Sequence, residues 1–382
     1  MSIPSYDLVV VGAGIVGAAC AFEAARAGLT VAVVEATHPG GGATGAAMGH
    51  LVALDGSPAE LALCRYSLAL WRELAPSLPG SVHYREAGTI WLASSESDLV
   101  EARHKQARLE REGIPSTLLG PDELSKAEPA LRPGLEGGLL VPGDGRLDPV
   151  AATEFLLGET VRFGGTIYAG QGATGIEEGT VLRGKQASLT AETVLIAAGV
   201  DSGRLLKEIP VRPRKGQLLR IEPMPLSLDH QLVELGYGAS IRTSEAISVA
   251  FNVHPASDGS WTVGASREWG STDTTTSPST VERILRRAER FLPSLGHATV
   301  AKSWAGLRPA MPDHLPWIGP LPGRKGVWVA TGHEGLGITC SLGTARLVVD
   351  GLLGRPSPVP RDPYLPDSTR AQWPNSPPAE ER

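Results

Sequence analysis

Residues 6–36 read YDLVVVGAGIVGAACAFEAARAGLTVAVVEA, and this stretch decides the fold. Residues 8–11 and 31–34 are two continuous apolar runs of the kind found in buried parallel strands. The alanine-rich segment between them begins at Ile15 and closes at Gly28, which is typical of a helix with a C-terminal glycine. A strand, a helix and a second strand in this order predict a right-handed βαβ unit.

Three glycines, Gly12, Gly14 and Gly17, connect the first predicted strand to the first turn of the helix. Glycines in this GxGxxG pattern permit a tight turn and let backbone N–H groups approach a pyrophosphate. Glu35 follows directly after the second strand, where a carboxylate accepts hydrogen bonds from ribose hydroxyls and repels a 2′-phosphate. The pattern predicts a dinucleotide cofactor other than NADP, and the alternative is a glycine turn that packs without a ligand.

Two further glycine-rich loops bear on the identity of this cofactor. Residues 39–50 read PGGGATGAAMGH, and residues 331–339 read TGHEGLGIT. Small residues let the backbone lie against a cofactor larger than NAD, so the first of these loops favours FAD. The second precedes a predicted helix, whose N-terminus stabilises the anionic end of a reduced flavin, although an ordinary strand-to-helix connection reads the same way. No second GxGxxG opens a helix directly after a predicted strand, which disfavours a flavoprotein that also binds NAD(P)H.

The composition argues against several classes of function. The chain has 35 Lys and Arg and 41 Asp and Glu residues, a net charge of -6 without a basic block, so neither a nucleic-acid groove nor an anionic membrane surface is indicated. Cys20, Cys64 and Cys340 lack the spacing of zinc or iron–sulfur ligands, and we expect no metal site. The first residues contain no basic leader and no apolar run that would span a bilayer, which predicts a cytoplasmic protein without a transmembrane segment.

The order of predicted elements indicates an α/β protein, α+β overall, with two domains. A Rossmann-like nucleotide-binding domain is expected to be discontinuous and to comprise residues 1–80, 141–210 and 300–354. A mainly antiparallel β substrate-binding domain is expected to comprise residues 81–140 and 211–299. The proline-rich residues 355–382 are expected to form a tail without packed structure.

Residues 304–319, WAGLRPAMPDHLPWIG, contain one arginine, Arg308, in an apolar and proline-rich setting. Burying a guanidinium without a partner is costly. The residues alone therefore leave three possibilities open: Arg308 lies at the surface, pairs with a distant acid, or binds a charged group that is absent from the chain.

Six motifs occur in the order seen in the D-amino-acid oxidase superfamily of FAD-dependent oxidoreductases, which includes glycine and sarcosine oxidases. They are GAGIVG (12–17), GGGATGAAMGH (40–50), TVLIAAG (193–199), RKGQLL (214–219), WAGLRPAMPDHLPWIGP (304–320) and TGHEGLGIT (331–339). The chain resembles this superfamily over residues 7–354. Within it the chain most resembles the FAD-bearing beta subunit of bacterial D-hydroxyproline dehydrogenases, through GGGATGAAMGHL, LVPGDG (140–145) and GHEGLGIT.

The resemblance implies a non-covalent FAD and oxidation of a Cα–N bond by hydride transfer to the flavin. The arginine of the GLRP motif, Arg308, would bind the substrate carboxylate. The substrate would be a small D-amino acid, with cis-4-hydroxy-D-proline giving a pyrroline carboxylate. Electrons would leave through partner subunits that carry an iron–sulfur cluster or a second flavin, in a hetero-oligomer that is cytoplasmic or held at the inner membrane by those partners.

The residues expected to bind the cofactor follow from the glycine loops and from the resemblance. They are Gly12, Ala13, Gly14, Ile15, Val16, Gly17, Glu35, Ala36, Gly42, Ala43, Thr44, Met48, Gly49, His50, Ala173, Thr174, Ala198, Gly199, Arg308, His333, Glu334, Gly335, Leu336, Gly337, Ile338 and Thr339. His50 and His333 flank glycine loops and either contact flavin or substrate or have a structural role. Tyr237 either closes the substrate pocket or fills core, while Glu334 and Asp313 are expected to satisfy backbone donors.

Three functions remain open at this stage. An amino-acid dehydrogenase is favoured, and an oxidase that passes electrons from glycine, sarcosine or a D-amino acid to oxygen is the nearest alternative. A non-catalytic flavin electron-transfer subunit is the alternative from another class, and the intact GLRP motif disfavours it because electron transfer needs no carboxylate-binding group. No Ser/His/Asp motif supports hydrolase chemistry.

Overall fold

The computed structural model describes residues 4–177, 179–183, 186–236 and 247–373. Within these residues the first sheet has eight strands around a parallel centre. In spatial order its main path is β17 (Trp317–Pro320), β18 (Val327–Thr331), β11 (Gln186–Ile196), β1 (Ser5–Val11), β2 (Val31–Val34) and β8 (Thr166–Tyr168), and β10 (Thr180–Arg183) and β9 (Gly175–Glu177) extend from β11. The βαβ prediction is correct, because α1 (Ile15–Arg26) connects β1 to the parallel β2.

Glycine ends the helix as the sequence indicates. The α1 helix is capped at Ala27, and Gly28 follows with a positive φ of 92°. Most side chains of α1 are buried, because the helix packs against α5 (Pro149–Arg162) and α8 (Gly337–Leu352). The small residues of α1 allow this close approach, so this three-helix layer covers one face of the first sheet.

A second sheet of eight strands is formed by other parts of the described chain. Its spatial order is β16 (Val300–Ala310), β12 (Arg212–Ile221), β15 (Trp261–Trp269), β14 (Ile247–Pro255), β13 (Gln231–Glu234), β4 (Thr89–Ala93), β6 (Gly137–Val141) and β5 (Thr117–Leu119). All pairings are antiparallel except that of β13 with β4. The mixed α/β fold class is therefore confirmed.

The remaining elements connect or cover these sheets. The short strands β3 (His50–Leu51) and β7 (Gly145–Arg146) pair with each other. Among the described residues the other helices are α2 (Pro58–Leu74), α3 (Glu96–Arg111), α4 (Pro121–Ala127), α6 (Ser202–Leu205) and α7 (Pro278–Glu289), with 3-10 turns at Ala75–Ser77, Gly80–Val82, Gly199–Asp201, Pro293–His297, Asp362–Tyr364 and Ser368–Arg370. Among the described residues, no helix is long and apolar enough to cross a membrane.

The strands of the two sheets can be compared with the predicted domain boundaries, which remain a prediction. Strands of residues 89–141 join those of residues 212–310 in the second sheet. The strand Val300–Ala310 belongs to this second sheet through its pairing with β12, although residues 300–354 were expected in the nucleotide-binding domain. The register of this pairing brings Arg308 opposite Arg214, so the arginine of the GLRP motif lies on the second sheet.

The expectation of an unpacked tail is wrong for residues 355–373. Val359 and Tyr364 are buried in the main core, and Tyr364 is only 1% exposed. Trp373 Nε1 donates a hydrogen bond to the Pro210 carbonyl oxygen at 2.8 Å. Proline-rich chain loses little conformational entropy on ordering, so a few apolar side chains suffice to fix it. Residues 374–382 lie outside the described residues.

Replacing Tyr364 with alanine should lower the free energy of unfolding by about 3 kcal/mol, because a large aromatic group leaves a cavity. The Tyr364 hydroxyl donates to the Ala59 carbonyl oxygen at 2.6 Å. Tyr364→Phe keeps the ring and should cost about 1 kcal/mol. Denaturant unfolding of both variants measures the difference, and equal stability of wild type and Tyr364→Ala would show that the segment contributes nothing.

Candidate active site

A cavity of about 360 Å³ is walled by residues of both large sheets. One end lies beside Glu35 and Ala36, at the end of β2. The other end lies beside Asn252 and Arg308, on strands of the second sheet. The cavity thus connects the predicted dinucleotide site with the arginine of the GLRP motif.

The first glycine loop brings bare backbone to this cavity. Gly12 has a φ of 110°, and a Cβ atom at this position would lie 2.5 Å from the Ala197 carbonyl oxygen. Gly14 also lines the cavity. Gly17 lies behind the loop, where a Cβ atom would be 2.0 Å from the Gly12 oxygen. Gly17 therefore lets helix and loop pack closely, while Gly12 and Gly14 leave the space that a pyrophosphate requires.

The carboxylate of Glu35 is fixed at one end of the cavity. Its Oε2 accepts a hydrogen bond from the Ala13 backbone N–H at 2.9 Å, and its Oε1 accepts one from the Thr37 N–H at 2.8 Å. Oε1 also accepts from Thr37 Oγ1 at 3.2 Å, so the acceptor capacity toward the cavity is the second lone pair of Oε2. The position fits a ribose that donates its hydroxyl protons.

The second glycine loop is tied to the first. The Ile15 N–H donates to Thr44 Oγ1 at 3.0 Å, and the Gly40 N–H donates to the Ala13 carbonyl oxygen at 2.9 Å. On its other side the loop is held by Trp304, whose Nε1 donates to the Ala46 carbonyl oxygen at 3.0 Å. The small residues of this loop therefore form a rigid wall between the two sheets.

The late glycine loop leads into α8. Gly337 and Ile338, in its first turn, line the cavity, so the positive end of a 16-residue helix meets it. His333 is buried, and its Nε2 lies 2.9 Å from Thr344 Oγ1. Thr339 Oγ1 donates to the His50 carbonyl oxygen at 3.1 Å. This loop and the second glycine loop are thus joined beside the cavity.

Arg308 projects from β16 across the neighbouring strand. A Cβ atom on Gly216 of β12 would lie 2.1 Å from Arg308 Nη1, so the guanidinium occupies the space over this glycine. The same nitrogen donates to the Ser266 carbonyl oxygen of β15 at 3.1 Å. Arg308 is half-buried and lines the cavity, a position from which a guanidinium can form two parallel bonds to a carboxylate.

A family model described as FAD dependent oxidoreductase (DAO) matches residues 7–351. The chain belongs to this family of FAD-dependent oxidoreductases. Glycine oxidase of Geobacillus kaustophilus is 30% identical over 362 residues, which cover 90% of this chain and 92% of that one. A crystal structure of glycine oxidase from Geobacillus kaustophilus has a TM-score of 0.86 at 27% identity and covers 96% of this chain and 99% of that chain.

Two further relatives of this flavoenzyme have names other than glycine oxidase. Hydrogen cyanide synthase subunit HcnC of Pseudomonas aeruginosa is 27% identical over 396 residues, covering 90% of this chain and 91% of that one. D-amino acid dehydrogenase of Chromohalobacter salexigens is 33% identical over 286 residues, covering 71% of this chain and 65% of that one. The matches confirm the predicted superfamily, the enzyme class and FAD as the cofactor.

Most residues expected to bind FAD line the cavity. These are Gly12, Gly14, Ile15, Val16, Glu35, Ala36, Gly42, Ala43, Thr44, Met48, Gly49, His50, Ala173, Ala198, Gly199, Arg308, His333, Glu334, Gly335, Gly337 and Ile338. The others do not line it: Ala13, Gly17, Thr174, Leu336 and Thr339. The Ala13 N–H donates a hydrogen bond to the Glu35 carboxylate, and Thr339 Oγ1 donates one to the His50 carbonyl oxygen. Both residues therefore contact residues that line the cavity. Tyr237 lies outside the described residues.

Glu334 lines the cavity and lies between two basic side chains. Its Oε1 lies 2.6 Å from Arg214 Nη1, and its Oε2 lies 3.2 Å from His314 Nδ1. Burial would raise the pKa of Glu334, but the His314 hydrogen bond and the Arg214 charge outweigh it and lower the pKa to about 2. The expectation that Glu334 serves backbone donors is wrong, because its carboxylate pairs with side chains. Asp313 Oδ1 does accept from the Leu315 N–H, at 3.2 Å.

The stability contributed by His314 should depend on pH. The Glu334 hydrogen bond raises the pKa of His314 above its ordinary value of 6.5. A raised pKa stabilises the fold fully below 6.5, and this stabilisation is lost as the pH rises through the folded-state value. His314→Asn should therefore lower the Tm at about pH 5.5, and the difference from wild type should shrink toward about pH 9.

Thermal unfolding of both proteins over this pH range measures the effect. His297→Asn is the matched control, because His297 is exposed and forms no ion pair with any described residue. A Tm difference for His314→Asn that stays constant with pH would contradict the assigned pairing with Glu334.

The half-buried His50, which lines the cavity, contacts the buried His254. The rings of His50 and His254 contact edge to face, with centroids 5.1 Å apart. Burial and the Arg146 charge lower the pKa of His50 to about 4, and burial, His50 and Arg146 lower that of His254 well below its usual range. Burial also lowers the pKa of His333 to about 4. All three imidazoles are therefore neutral near pH 7.

Several residues that line the cavity cannot be recognised as site residues from the local sequence pattern. Gly216, Asn252, Ala265 and Gly306 line the cavity from four different strands of the second sheet. A Cβ atom on Gly306 would lie 2.4 Å from Ala46 Cβ, which shows how tightly the second glycine loop packs on β16. Only the strand register brings these residues together, although Gly216 and Gly306 each lie within a motif of the family resemblance.

Proposed function

We propose that this chain is an FAD-dependent amino-acid dehydrogenase that oxidises the Cα–N bond of a small D-amino acid. We further propose cis-4-hydroxy-D-proline, or a close D-proline analogue, as the substrate. The observation that carries the proposal is the Arg308 guanidinium over Gly216, in the cavity lined by the glycine loops. Ala265 and Gly306 line the same cavity, and their small size suits a small substrate.

The side chains of the site bind and orient the amino acid. FAD held by the glycine loops would supply the acceptor for a hydride from the substrate Cα, so that the Cα–N single bond becomes a protonated imine, which loses its N–H proton to water. Arg308 holds the carboxylate through two parallel hydrogen bonds, which fixes the molecule so that one Cα–H points toward the cofactor. The ammonium proton leaves to water before this step, so no catalytic base is required. A cyclic secondary amine then leaves as a pyrroline carboxylate.

The electrostatics of the site agree with a zwitterionic substrate. His50 and His333 line the cavity with neutral imidazoles, since burial lowers the pKa of each to about 4. They do not repel the substrate ammonium. Glu334 stays ionised, because His314 and Arg214 lower its pKa to about 2. Arg308 provides the positive charge with which the substrate carboxylate would pair.

We propose that FAD is bound without a covalent bond. Cys20, Cys64 and Cys340 are buried, and none of them lines the described part of the cavity. Cys340 Sγ instead lies 3.7 Å from Cys64 Sγ in the core between α8 and α2.

We also propose a hetero-oligomer in which partner subunits with an iron–sulfur cluster or a second flavin accept the electrons. The similarity to HcnC, which is named as a subunit of hydrogen cyanide synthase, supports this assembly.

An oxidase that uses oxygen is the second candidate, and the similarity to glycine oxidase over 92% of that protein favours it. The two candidates share the reductive half of the reaction. They differ in the electron acceptor, which depends on access of oxygen to reduced FAD rather than on the residues that bind the amino acid.

Anaerobic addition of amino acids to the purified FAD-loaded protein tests the proposal. A panel of D- and L-proline analogues, glycine and sarcosine is added while the flavin absorbance is followed. We expect bleaching with D-proline analogues, and no bleaching with any compound would overturn the catalytic assignment. Admission of air then separates the candidates: rapid recovery of absorbance indicates an oxidase, and recovery only with a dye or a partner indicates a dehydrogenase.

A further inference from the structure

Asn252 carries a buried polar atom that nothing in the described part of the chain satisfies. The residue lies on β14, is 3% exposed and lines the cavity. Its Oδ1 has no hydrogen-bond partner among the described residues. A buried acceptor without a donor costs about 1–3 kcal/mol, so this atom is suited to a donor that a ligand brings.

Two apolar side chains lie near the amide. A Cβ atom on Gly264 of β15 would lie 2.8 Å from Asn252 Oδ1, 2.3 Å from Leu218 Cδ2 and 3.5 Å from Met48 Sδ. Leu218 and Met48 line the cavity beside it. Apolar neighbours of this kind disfavour a charged group beside the amide oxygen and accept an uncharged donor.

The strand register fixes where this amide lies relative to Arg308. Asn252 pairs with Gly264, and Arg308 donates to the carbonyl of Ser266, two residues further along the same strand. Two residues of a strand span about 7 Å. Ala265 lies between the two points and also faces the cavity. Arg308 and Asn252 thus border opposite ends of a space about the length of one small amino acid.

The chemistry of the two ends indicates what fills this space. A carboxylate on Arg308 places the substrate amine next to it, since both groups are attached to Cα. The group that reaches Asn252 is therefore on the far side of the molecule from the carboxylate. Glycine has no such group, whereas a ring hydroxyl is an uncharged donor at the required end.

We propose that Asn252 accepts a hydrogen bond from a hydroxyl group of the substrate and thereby selects a hydroxylated cyclic amino acid over the plain one. This proposal rests on the proposed function and narrows its substrate class. A hydroxyl both donates and accepts, so either orientation of the amide satisfies it. A site built around such a hydrogen bond discriminates against the analogue that lacks the hydroxyl, because the buried amide is then left without a partner.

Flavin bleaching with cis-4-hydroxy-D-proline and with D-proline, in separate stopped-flow experiments, tests the role of Asn252. Wild type should reduce faster with the hydroxylated substrate, by at least about tenfold in kcat/KM. Asn252→Leu should lower kcat/KM for cis-4-hydroxy-D-proline by at least about tenfold while changing that for D-proline by less than about threefold. Leu218→Ala is the matched control, because it alters the same wall without removing a polar atom and should affect both substrates in the same proportion.

Each possible result either supports or contradicts the role proposed for Asn252. Equal losses with both substrates in Asn252→Leu would overturn the proposal and assign Asn252 a structural role. If Asn252→Leu fails to retain FAD, wild type alone decides, since a preference below about threefold contradicts a hydroxyl-binding amide. Bleaching by D-proline and its hydroxylated form at equal rates refutes only the role of Asn252, whereas no bleaching by either, or by any other amino acid, refutes the proposed function and this inference with it.

Discussion

Replacing Arg308 with alanine should leave FAD bound and lower kcat/KM for the amino-acid substrate by about a hundredfold or more, equivalent to roughly 3 kcal/mol. The loss is expected because the Arg308 guanidinium fills the space over Gly216 and faces the cavity, where it would pair with the substrate carboxylate. Steady-state kinetics with a dye acceptor measures the loss, and the flavin-to-protein absorbance ratio checks the cofactor. A decrease of less than about tenfold would exclude Arg308 as the carboxylate-binding group.

Arg308→Lys separates charge from geometry. Lysine keeps the positive charge but forms no pair of parallel hydrogen bonds with a carboxylate. We expect kcat/KM of Arg308→Lys to lie between the values for wild type and Arg308→Ala. Most of the decrease should come from a higher KM. Equal activity of Arg308→Lys and wild type would mean that the charge alone, and not the bidentate geometry, orients the substrate.

Replacing Gly12 with alanine should yield a protein that has lost most of its FAD. The new Cβ atom would lie 2.5 Å from the Ala197 carbonyl oxygen, and Gly12 has a φ of 110° that alanine rarely adopts. The loop must shift, and it then occupies the space in which backbone N–H groups approach the pyrophosphate. The bound flavin after purification, and the dissociation constant on adding FAD back, measure the effect, which we expect to exceed about a hundredfold in Kd.

Gly28→Ala is the matched control for backbone strain. Gly28 also has a positive φ, of 92°, but a Cβ atom there would meet nothing within 4 Å. This variant should lose about 1 kcal/mol of stability and keep its FAD. Circular dichroism establishes that both variants are folded. Retention of FAD by a folded Gly12→Ala protein would show that this glycine does not contact the cofactor.

Local sequence signals predicted much of the fold. The strands at residues 8–11 and 31–34, the helix between them and the GxGxxG turn depend on contacts within one βαβ unit, so spacing and glycine chemistry suffice. The start of α5 is also a local feature: Asp148 precedes Pro149 and caps the helix by accepting from the Val150 and Ala151 N–H groups.

The remainder depends on contacts between distant segments. The substrate end of the cavity is formed by residues on adjacent strands that are far apart in the chain, such as Gly216 of β12 and Arg308 of β16. No local pattern specifies that a glycine on one strand makes room for an arginine on the next. Arg308 itself was predicted as a ligand-binding residue only through the family resemblance, because its surroundings in the chain fit a surface arginine equally well.

The packing of residues 355–373 was missed for a related reason. Low hydrophobicity and many prolines indicate that a segment has no core of its own, but not whether it covers another core. Tyr364 packs against a core that the rest of the chain provides, and its hydroxyl bonds to Ala59.

The first sheet has a consequence for how the protein matures. Its parallel centre pairs Val10 with Leu195, and Leu195 in turn with Trp328. A nascent chain therefore presents β1 with one open edge until more than half of the protein has left the ribosome, and β11 remains open until β18 emerges near the end. Such long-range pairing slows folding and leaves unpaired strand edges exposed to aggregation. The cavity is completed only by Gly337 and Ile338 at the start of α8, so FAD should bind only after translation is almost complete. Expression with scarce riboflavin should therefore lower the yield of soluble protein.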